Sequence, residues 1–120
     1  MHGLKSDIDL SFLLNKEIAQ ICLGKYQIIL RLSESVEISI EGRMKYTSRS
    51  GPYKEVEILC SDVHAGILQN LFEIPIVQIG IQSPGDLLLE FENRDELLIF
   101  DSNPQTESYQ LSFGNRTIVV

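Results

Sequence analysis

The chain has 120 residues, 43% of them hydrophobic and 22% charged, with 10 Lys and Arg against 17 Asp and Glu. This length suffices for one domain, residues 1–120, with its own hydrophobic core, so neither a disulfide nor a metal is required for folding. The formal net charge of -7 would repel phosphate groups, so nucleic acids and anionic membranes are not expected as partners.

The sequence also predicts a location in the cytoplasm. No apolar run approaches the roughly 20 residues of a membrane-spanning helix, and residues 1–9 lack the apolar core of a signal peptide. In the cytoplasm, Cys22 and Cys60 are expected to be reduced thiols that are unpaired and largely buried.

Negative charge is concentrated in the second half of the chain. Residues 1–60 are neutral overall, whereas residues 61–120 contain two Arg and nine acids, namely Asp62, Glu73, Asp86, Glu90, Glu92, Asp95, Glu96, Asp101 and Glu107. Such a distribution would attract a basic protein. A moderate net charge is also what keeps a small domain soluble, and both interpretations fit the composition.

The first half predicts one short helix and three strands. The helix lies in residues 9–15, capped by Ser6 or Asp9 and ended by Asn15, which tolerates a left-handed backbone. Apolar and polar side chains then alternate with period two, as in antiparallel strands with one wet face. These strands are predicted in residues 18–23, 26–32 and 36–41. Residues 43–54 lack clear periodicity and predict a loop.

The second half predicts the same order of elements. After a short strand at residues 55–59, Ser61 caps a second helix in residues 62–71. A three-stranded meander follows in residues 76–101, because three apolar runs are separated by turn residues. Two further strands are predicted in residues 107–120.

These elements predict an α+β fold built from two pseudo-repeated halves, residues 7–42 and 61–101. Each half has a helix and a three-stranded antiparallel meander, and the helices pack on the apolar faces. The segment Ile18-Ala19-Gln20-Ile21 aligns with Ile76-Val77-Gln78-Ile79. We therefore expect the two halves to superpose by a pseudo-two-fold rotation.

The order of motifs resembles that of small bacterial proteins of about this length with two helix-plus-meander halves. Here the motif Leu10-Ser11-Phe12-Leu13-Leu14 precedes the first meander and Leu68-Gln69-Asn70-Leu71-Phe72 precedes the second, with Glu107-Ser108-Tyr109-Gln110-Leu111 near the end. Some such proteins are thought to be immunity proteins of bacterial toxin systems. The resemblance therefore implies an immunity-type protein and brings no catalytic residue with it. Together with the acidic second half, it favours a non-enzymatic inhibitor of a basic toxin.

Chemical motifs are few. Cys60 lies at the predicted start of the second helix with His64 four residues later, and a helix start lowers the pKa of a thiol. A cysteine-dependent enzyme is therefore an alternative, although a packed thiol is the more common arrangement. No metal-ligand spacing, phosphate-binding loop or dinucleotide motif is present, so no cofactor, metal ion or catalytic residue is assigned.

The outer face of the second meander is unexpectedly apolar. Alternation places Leu88, Leu98 and Phe100 there, beside Glu90 and Glu92. We expect the apolar side chains to be covered by a helix, by the C-terminal strands or by another chain. These five residues are the predicted partner-binding surface, either for a basic protein or for a second copy of the chain. In the second case the protein would be a small homo-oligomeric housekeeping protein, such as a homodimer.

Overall fold

The computed structural model describes residues 9–24, 27–59, 63–82, 85–101, 109–114 and 116–119. Within these ranges the chain forms ten strands and three 3₁₀ segments. The strands are β1 (Ile18–Leu23), β2 (Ile28–Leu32), β3 (Val36–Ile40), β4 (Arg43–Ser48), β5 (Lys54–Leu59), β6 (Ile76–Gln82), β7 (Asp86–Phe91), β8 (Glu96–Ile99), β9 (Tyr109–Phe113) and β10 (Arg116–Val119). The 3₁₀ segments are η1 (Ser11–Leu13), η2 (Ser33–Ser35) and η3 (Val63–Leu71).

The predicted α+β class is wrong, because the protein is mostly β, with two antiparallel sheets and almost no helix. Two five-stranded antiparallel sheets contain all ten strands, and the helices predicted in residues 9–15 and 62–71 are the 3₁₀ segments η1 and η3. Segments this short do not form stable α-helices by themselves. Each one instead packs a few Leu side chains against the sheets, which a 3₁₀ turn does equally well.

Each sheet combines a meander from one half of the chain with a hairpin from the other half. Sheet A has the order β1-β2-β3-β9-β10, and sheet B has the order β5-β4-β8-β7-β6. The joins are antiparallel pairings between β3 and β9, where Ile38 lies opposite Leu111, and between β4 and β8, where Tyr46 lies opposite Leu97. The hairpin that follows each predicted half therefore joins the meander of the other half.

The loop predicted in residues 43–54 is also wrong at its start, since β4 occupies the position between β5 and β8 in sheet B. Met44 and Tyr46 are buried, whereas the alternate residues Arg43 and Lys45 are half-buried on the other face. Alternation is thus present in β4. The alternation covers only residues 43–46, since Tyr46 and the next residue, Thr47, are both buried.

One hydrophobic core is shared by the two sheets and the 3₁₀ segments. From sheet A it contains Ile18, Ile28, Leu30, Leu32, Val36, Ile38, Ile40, Tyr109 and Leu111, and from sheet B Met44, Tyr46, Ile58, Ile76, Leu87, Leu89, Phe91, Leu97 and Ile99. Leu10 and Leu13 beside and within η1 and Leu68 and Leu71 of η3 belong to the same cluster. Burial of each large apolar side chain contributes about 1.5–3 kcal/mol, so both sheets depend on a common interior.

The first strand of each meander has the same irregularity. The register between β1 and β2 shifts between Ile18 and Gln20, and that between β6 and β7 shifts between Ile76 and Gln78. These are the positions that the sequence alignment places together. A bulge of this kind bends its strand and increases the local twist, so both meanders turn at the same point.

Two reciprocal hydrogen bonds connect the starts of β1 and β6. The amide of Asn15 donates to the carbonyl of Ile76 over 2.8 Å, and the amide of Glu73 donates to the carbonyl of Ile18 over 3.3 Å. Asn15 and Glu73 both have a left-handed backbone, with φ of 66° and 64°. This agreement supports the predicted pseudo-two-fold relation of residues 7–42 and 61–101, which stays a prediction.

Other expectations have mixed outcomes. Cys22 is a free thiol, but it is only half-buried. The backbone amide of Ser11 donates a hydrogen bond of 2.9 Å to the carboxylate of Asp9, but the N-cap position of η1 is Leu10, so the predicted cap at Asp9 lies one residue too early. Ser6, Cys60 and Ser61 lie outside the described residues. No helix in the described part of the chain is long and apolar enough to cross a membrane.

Candidate functional site on the outer face of sheet B

Four of the five predicted partner-binding residues lie together on the outer face of sheet B. Leu88 of β7 is directly opposite Leu98 of β8, and Glu90 is one row further along β7. Phe100 follows β8, and all four side chains are half-buried. Glu92 lies just beyond β7 and is exposed, with its amide donating to the carbonyl of Pro75 over 2.9 Å.

Strand alternation explains why these side chains face outward. Leu87, Leu89 and Phe91 of β7 are buried in the core, so the residues between them point to the opposite face. The same applies to β8, where Leu97 and Ile99 are buried. The outward positions in both strands follow directly from a period of two.

Leu88, Leu98 and Phe100 form what we call the outer apolar patch. Beyond Leu88, the next position in β6 is Gly80, which adds no side chain to the row. The guanidinium of Arg43 lies 4.5 Å from the ring centre of Phe100. The patch is therefore half-covered by its own sheet, and a flat partner surface could complete its burial.

The C-terminal strands do not cover the outer apolar patch. The strands β9 and β10 extend sheet A beside β3, because their own apolar residues Tyr109 and Leu111 are buried in the shared core. This version of the predicted cover is wrong. A second chain as the cover stays a prediction.

Basic side chains lie on the β4 side of the patch, and each of them has an acidic partner. The pairs are Arg43 with Glu57 at 3.1 Å, Lys45 with Glu55 at 3.4 Å and Arg49 with Glu96 at 3.6 Å. Exposed pairs of this kind contribute little to stability. They do make this side of the face electrically neutral.

Acidic residues occupy the β7 side of the patch. We call Asp86, Glu90 and Glu92 the acidic strip. Asp86 accepts a hydrogen bond of 2.8 Å from the amide of Asp101. Glu90 lies directly opposite Glu96, and like charges in that arrangement are destabilising. Among the described residues, neither Glu90 nor Glu92 has a cation within ion-pair distance, so their charge is available to a partner.

The neutral first half and the acidic second half of the sequence do not form separate neutral and acidic surfaces in the folded protein. The bases of β4 come from the neutral first half but lie in sheet B, while β10 brings Arg116 from the acidic second half into sheet A. Among the described acids of the second half, those of the acidic strip have no basic side chain of either half within ion-pair distance.

Asp95 is one of the nine acids of the second half, but it is a buried structural residue. Its side chain is 1% exposed. Burial raises the pKa of this carboxyl, but hydrogen bonds from Tyr46 and from the amides of Arg49 and Ser50 outweigh burial and lower the pKa below its ordinary value. The only hint in the sequence is the turn at Asn93 and Arg94, which does not distinguish a buried acid from an exposed one.

The alternative site at Cys60 and His64 cannot be placed, since Cys60 and the side chain of His64 lie outside the described part of the molecule. Within the described ranges, no group of three or more His, Cys, Asp and Glu side chains could hold a metal ion.

Comparisons with known proteins return no relative. No protein family, no curated protein and no solved structure matches this chain.

Proposed function

We propose that the protein is a non-enzymatic binding domain that docks a basic protein on the outer face of sheet B. The observation that carries this proposal is Glu90, which faces Glu96 beside the outer apolar patch and has no cation of its own among the described residues. A partner cation there would relieve a like-charge contact, while apolar contact with Leu88 and Leu98 would supply binding energy.

The positions of charged and apolar side chains on this face also indicate which surface the partner would need. The partner surface has an apolar centre with Lys or Arg along one side only, because the β4 side of the face is already neutral. Complementary charge would mainly raise the association rate, and the apolar centre would mainly slow dissociation.

An immunity-type inhibitor of a basic toxin, acting in the cytoplasm, is the specific form that we propose. It is supported by the resemblance in the order of the Leu-rich motifs and meanders, and by the acidic strip. Such an inhibitor needs a tight complementary surface and no catalytic group.

A homodimer is a second candidate, favoured by the position of charges around the patch. Lys45 lies opposite Leu98 on one side, and Glu90 lies on the other side. A two-fold axis parallel to β8 would place the β4 side of one copy against the acidic strip of the next. Since the β4 bases already have acidic partners within the chain, a separate basic protein fits this face better.

Association kinetics with a protein encoded by a neighbouring gene test the proposal. We expect the double change Glu90→Lys and Glu92→Lys to slow association about tenfold at low salt, and to affect dissociation less. The matched control is Glu37→Lys with Glu41→Lys, which makes the same charge change beside sheet A and should alter the rate about twofold at most.

Two results would contradict the proposal. One is an association rate that is indifferent to salt and to the Glu90/Glu92 change. The other is full-length protein that sediments as a dimer, with Leu88→Glu converting it to a monomer, which would establish the second candidate instead.

A further inference from the structure

The strand β6 forms an open edge of sheet B, and an apolar groove runs along this edge. Among the described residues, sheet B ends at β6. The groove separates β6 from η1 and has a volume of about 520 Å³. It is lined by Leu10, Ser11, Leu14, Val77, Gln78, Ile79 and Ile81.

The backbone of β6 presents to this groove hydrogen-bonding groups that have no partner in the described ranges. The amide of Glu92 donates to the carbonyl of Pro75, on the β6 side, and the amide of Phe91 donates to the carbonyl of Asp95, on the β8 side. The backbone groups of successive residues in β7 therefore point alternately toward β6 and toward β8. Glu90, Leu88 and Asp86 therefore bond to β6, through their partners Gln78, Gly80 and Gln82.

The residues between those partners point their amides and carbonyls away from the sheet. These are Ile79 and Ile81, and neither has a hydrogen-bond partner on that side among the described residues. Near the start of β6 the equivalent outward groups of Ile76 are occupied by Lys16 and Asn15, at 3.0 Å and 2.8 Å. The chain before β1 thus occupies the start of this edge, and no described residue bonds to the part beyond it.

We infer that the β6 edge takes up an extended segment of a partner protein as an additional strand, with apolar side chains on one face and Lys or Arg on the other. The inference rests on the proposed function and names the shape of the partner element. Main-chain bonds to Ile79 and Ile81 would hold the strand in register, and alternate side chains would give specificity.

The groove accounts for the apolar face of the incoming strand. Ile79 and Ile81 sit in the row of β6 that faces the core, but they are only half-buried, because no strand in the described part of the chain lies beyond them. Leu14 lies across the groove, and Val77 is 47% exposed. An added strand would place every second side chain between these residues and complete their burial.

The acidic strip accounts for the basic face. On the outer side, the added strand would lie next to Gln78, Gly80 and Gln82, and β7 would be the second strand away, at about 10 Å. Gly80 has no side chain to fill the space in front of β7. Lys or Arg side chains on the added strand could therefore extend across Gly80 toward Glu90 and Asp86.

A second copy of the chain fits this edge less well. Pairing of two β6 strands would join two copies of sheet B into one continuous sheet, with both acidic strips on the same region of it. With a net charge of -7 for each copy, this arrangement is repulsive.

The edge strand β1 of sheet A provides a matched control. Leu23 of β1 occupies the position that corresponds to Ile81, and its amide also points outward, since the next amide, that of Gly24, bonds to Gln27 over 2.8 Å. Leu23 is 60% exposed. The adjacent outer surface is neutral, because Arg31 pairs with Glu37 at 3.3 Å.

A synthetic, fluorescently labelled octapeptide that alternates lysine and valine tests the inference in the full-length protein by fluorescence anisotropy. The control peptide alternates glutamate and valine. In Ile81→Pro, proline removes the outward amide without breaking a bond to β7. We expect this change to weaken binding of the lysine peptide about tenfold, because one main-chain hydrogen bond between the peptide and β6 is lost. Leu23→Pro should change binding less than about twofold, and circular dichroism confirms that both variants are folded.

Amide exchange measured by NMR on the wild-type protein gives an answer that needs no variant. The lysine peptide should slow exchange at Ile79 and Ile81 and leave Ile21 and Leu23 unchanged. Failure of the peptide to protect these two amides, or equal loss of affinity in both proline variants, overturns strand addition. If Ile81→Pro has no effect while the Glu90/Glu92 reversal still slows the protein partner, the proposed function stands and strand addition does not. If neither change matters, both fail.

Discussion

The hydroxyl of Tyr46 in β4 donates a hydrogen bond of 2.5 Å to Oδ2 of Asp95, which lies inside the protein in the turn before β8. The other oxygen of Asp95 accepts the amides of Arg49 and Ser50, at 2.7 Å and 3.0 Å. Asn93 adds a bond of 3.2 Å to Oδ2. One carboxylate thus fixes the end of β4 against the turn before β8.

Replacement of this carboxylate should be the most destabilising polar substitution in the described part of the protein. Asp95→Ala leaves the Tyr46 hydroxyl and two amides without their acceptor, and each buried group left unpaired costs about 1–3 kcal/mol. We expect a loss of about 3 kcal/mol or more in the free energy of unfolding. Tyr46→Phe removes one donor and should cost about 1 kcal/mol. Urea unfolding followed by circular dichroism measures both, and a loss below 1 kcal/mol for Asp95→Ala would show that the loop repacks without it.

Stability should fall in acid partly because of the same group. The pKa of Asp95 in the folded protein lies below its ordinary value, and that of an unfolded Asp is about 3.9. The stabilisation is therefore complete above about pH 4 and is lost as pH falls through the lowered folded pKa. Asp95→Asn should show a shallower decline between pH 5 and pH 2. The exposed acids Asp9 and Glu55, whose pKa values are also lowered, are present in both proteins and cancel in the comparison. Parallel curves would assign the acid sensitivity to other carboxyl groups.

The acidic strip should cost the isolated protein stability. Glu90→Gln removes the like charge opposite Glu96 and should raise the free energy of unfolding by about 0.2–1 kcal/mol. Glu37→Gln is the matched control on sheet A, where Glu37 lies opposite Arg31, and it should lower stability by a similar amount. Thermal unfolding at low and high salt measures both changes, which should have opposite signs and should both become smaller at high salt. Two changes of the same sign would mean that the charges at these positions are not the cause.

The left-handed residues at the two strand starts should respond in opposite directions to exchange of their side chains. Asn tolerates a positive φ better than Glu. Glu73→Asn should therefore raise the free energy of unfolding by about 0.5 kcal/mol, and Asn15→Glu should lower it by about as much. Chemical denaturation of the two variants and the wild type provides the measurement. If Glu73→Asn is destabilising instead, the Glu73 side chain makes a contribution that outweighs its backbone strain.

Alternation in the sequence predicted the two meanders because each strand is amphipathic over several residues. It placed Leu88, Leu98 and Glu90 on one outer face for the same reason. It did not distinguish a 3₁₀ segment from an α-helix, since Leu10, Leu13 and Leu14 suit both. A periodicity of 3 to 4 residues defines which face is buried and leaves the hydrogen-bonding pattern undetermined.

Strand partners over long sequence distances could not be predicted. The pattern of β9 shows that Tyr109 and Leu111 face a core, but nothing local shows that β3 is their neighbour. For the same reason the neutralisation of Lys45 and Arg43 by β5, and the buried role of Asp95, were outside the reach of pattern analysis. These features depend on which segments meet, and that is decided by the packing of the whole interior.

The exchange of hairpins between the sheets has a kinetic consequence. Sheet A is complete only when β3 pairs with β9, with Ile38 opposite Leu111. Sheet B is complete only when β4 pairs with β8, with Tyr46 opposite Leu97. Topologies dominated by such distant contacts fold slowly, in milliseconds to seconds. During synthesis, β3 would leave the ribosome long before β9 exists, so its apolar edge would have no native neighbour for most of translation. This protein is therefore expected to complete folding only once β9 has been synthesised, and to benefit from chaperones that shield strand edges in nascent chains.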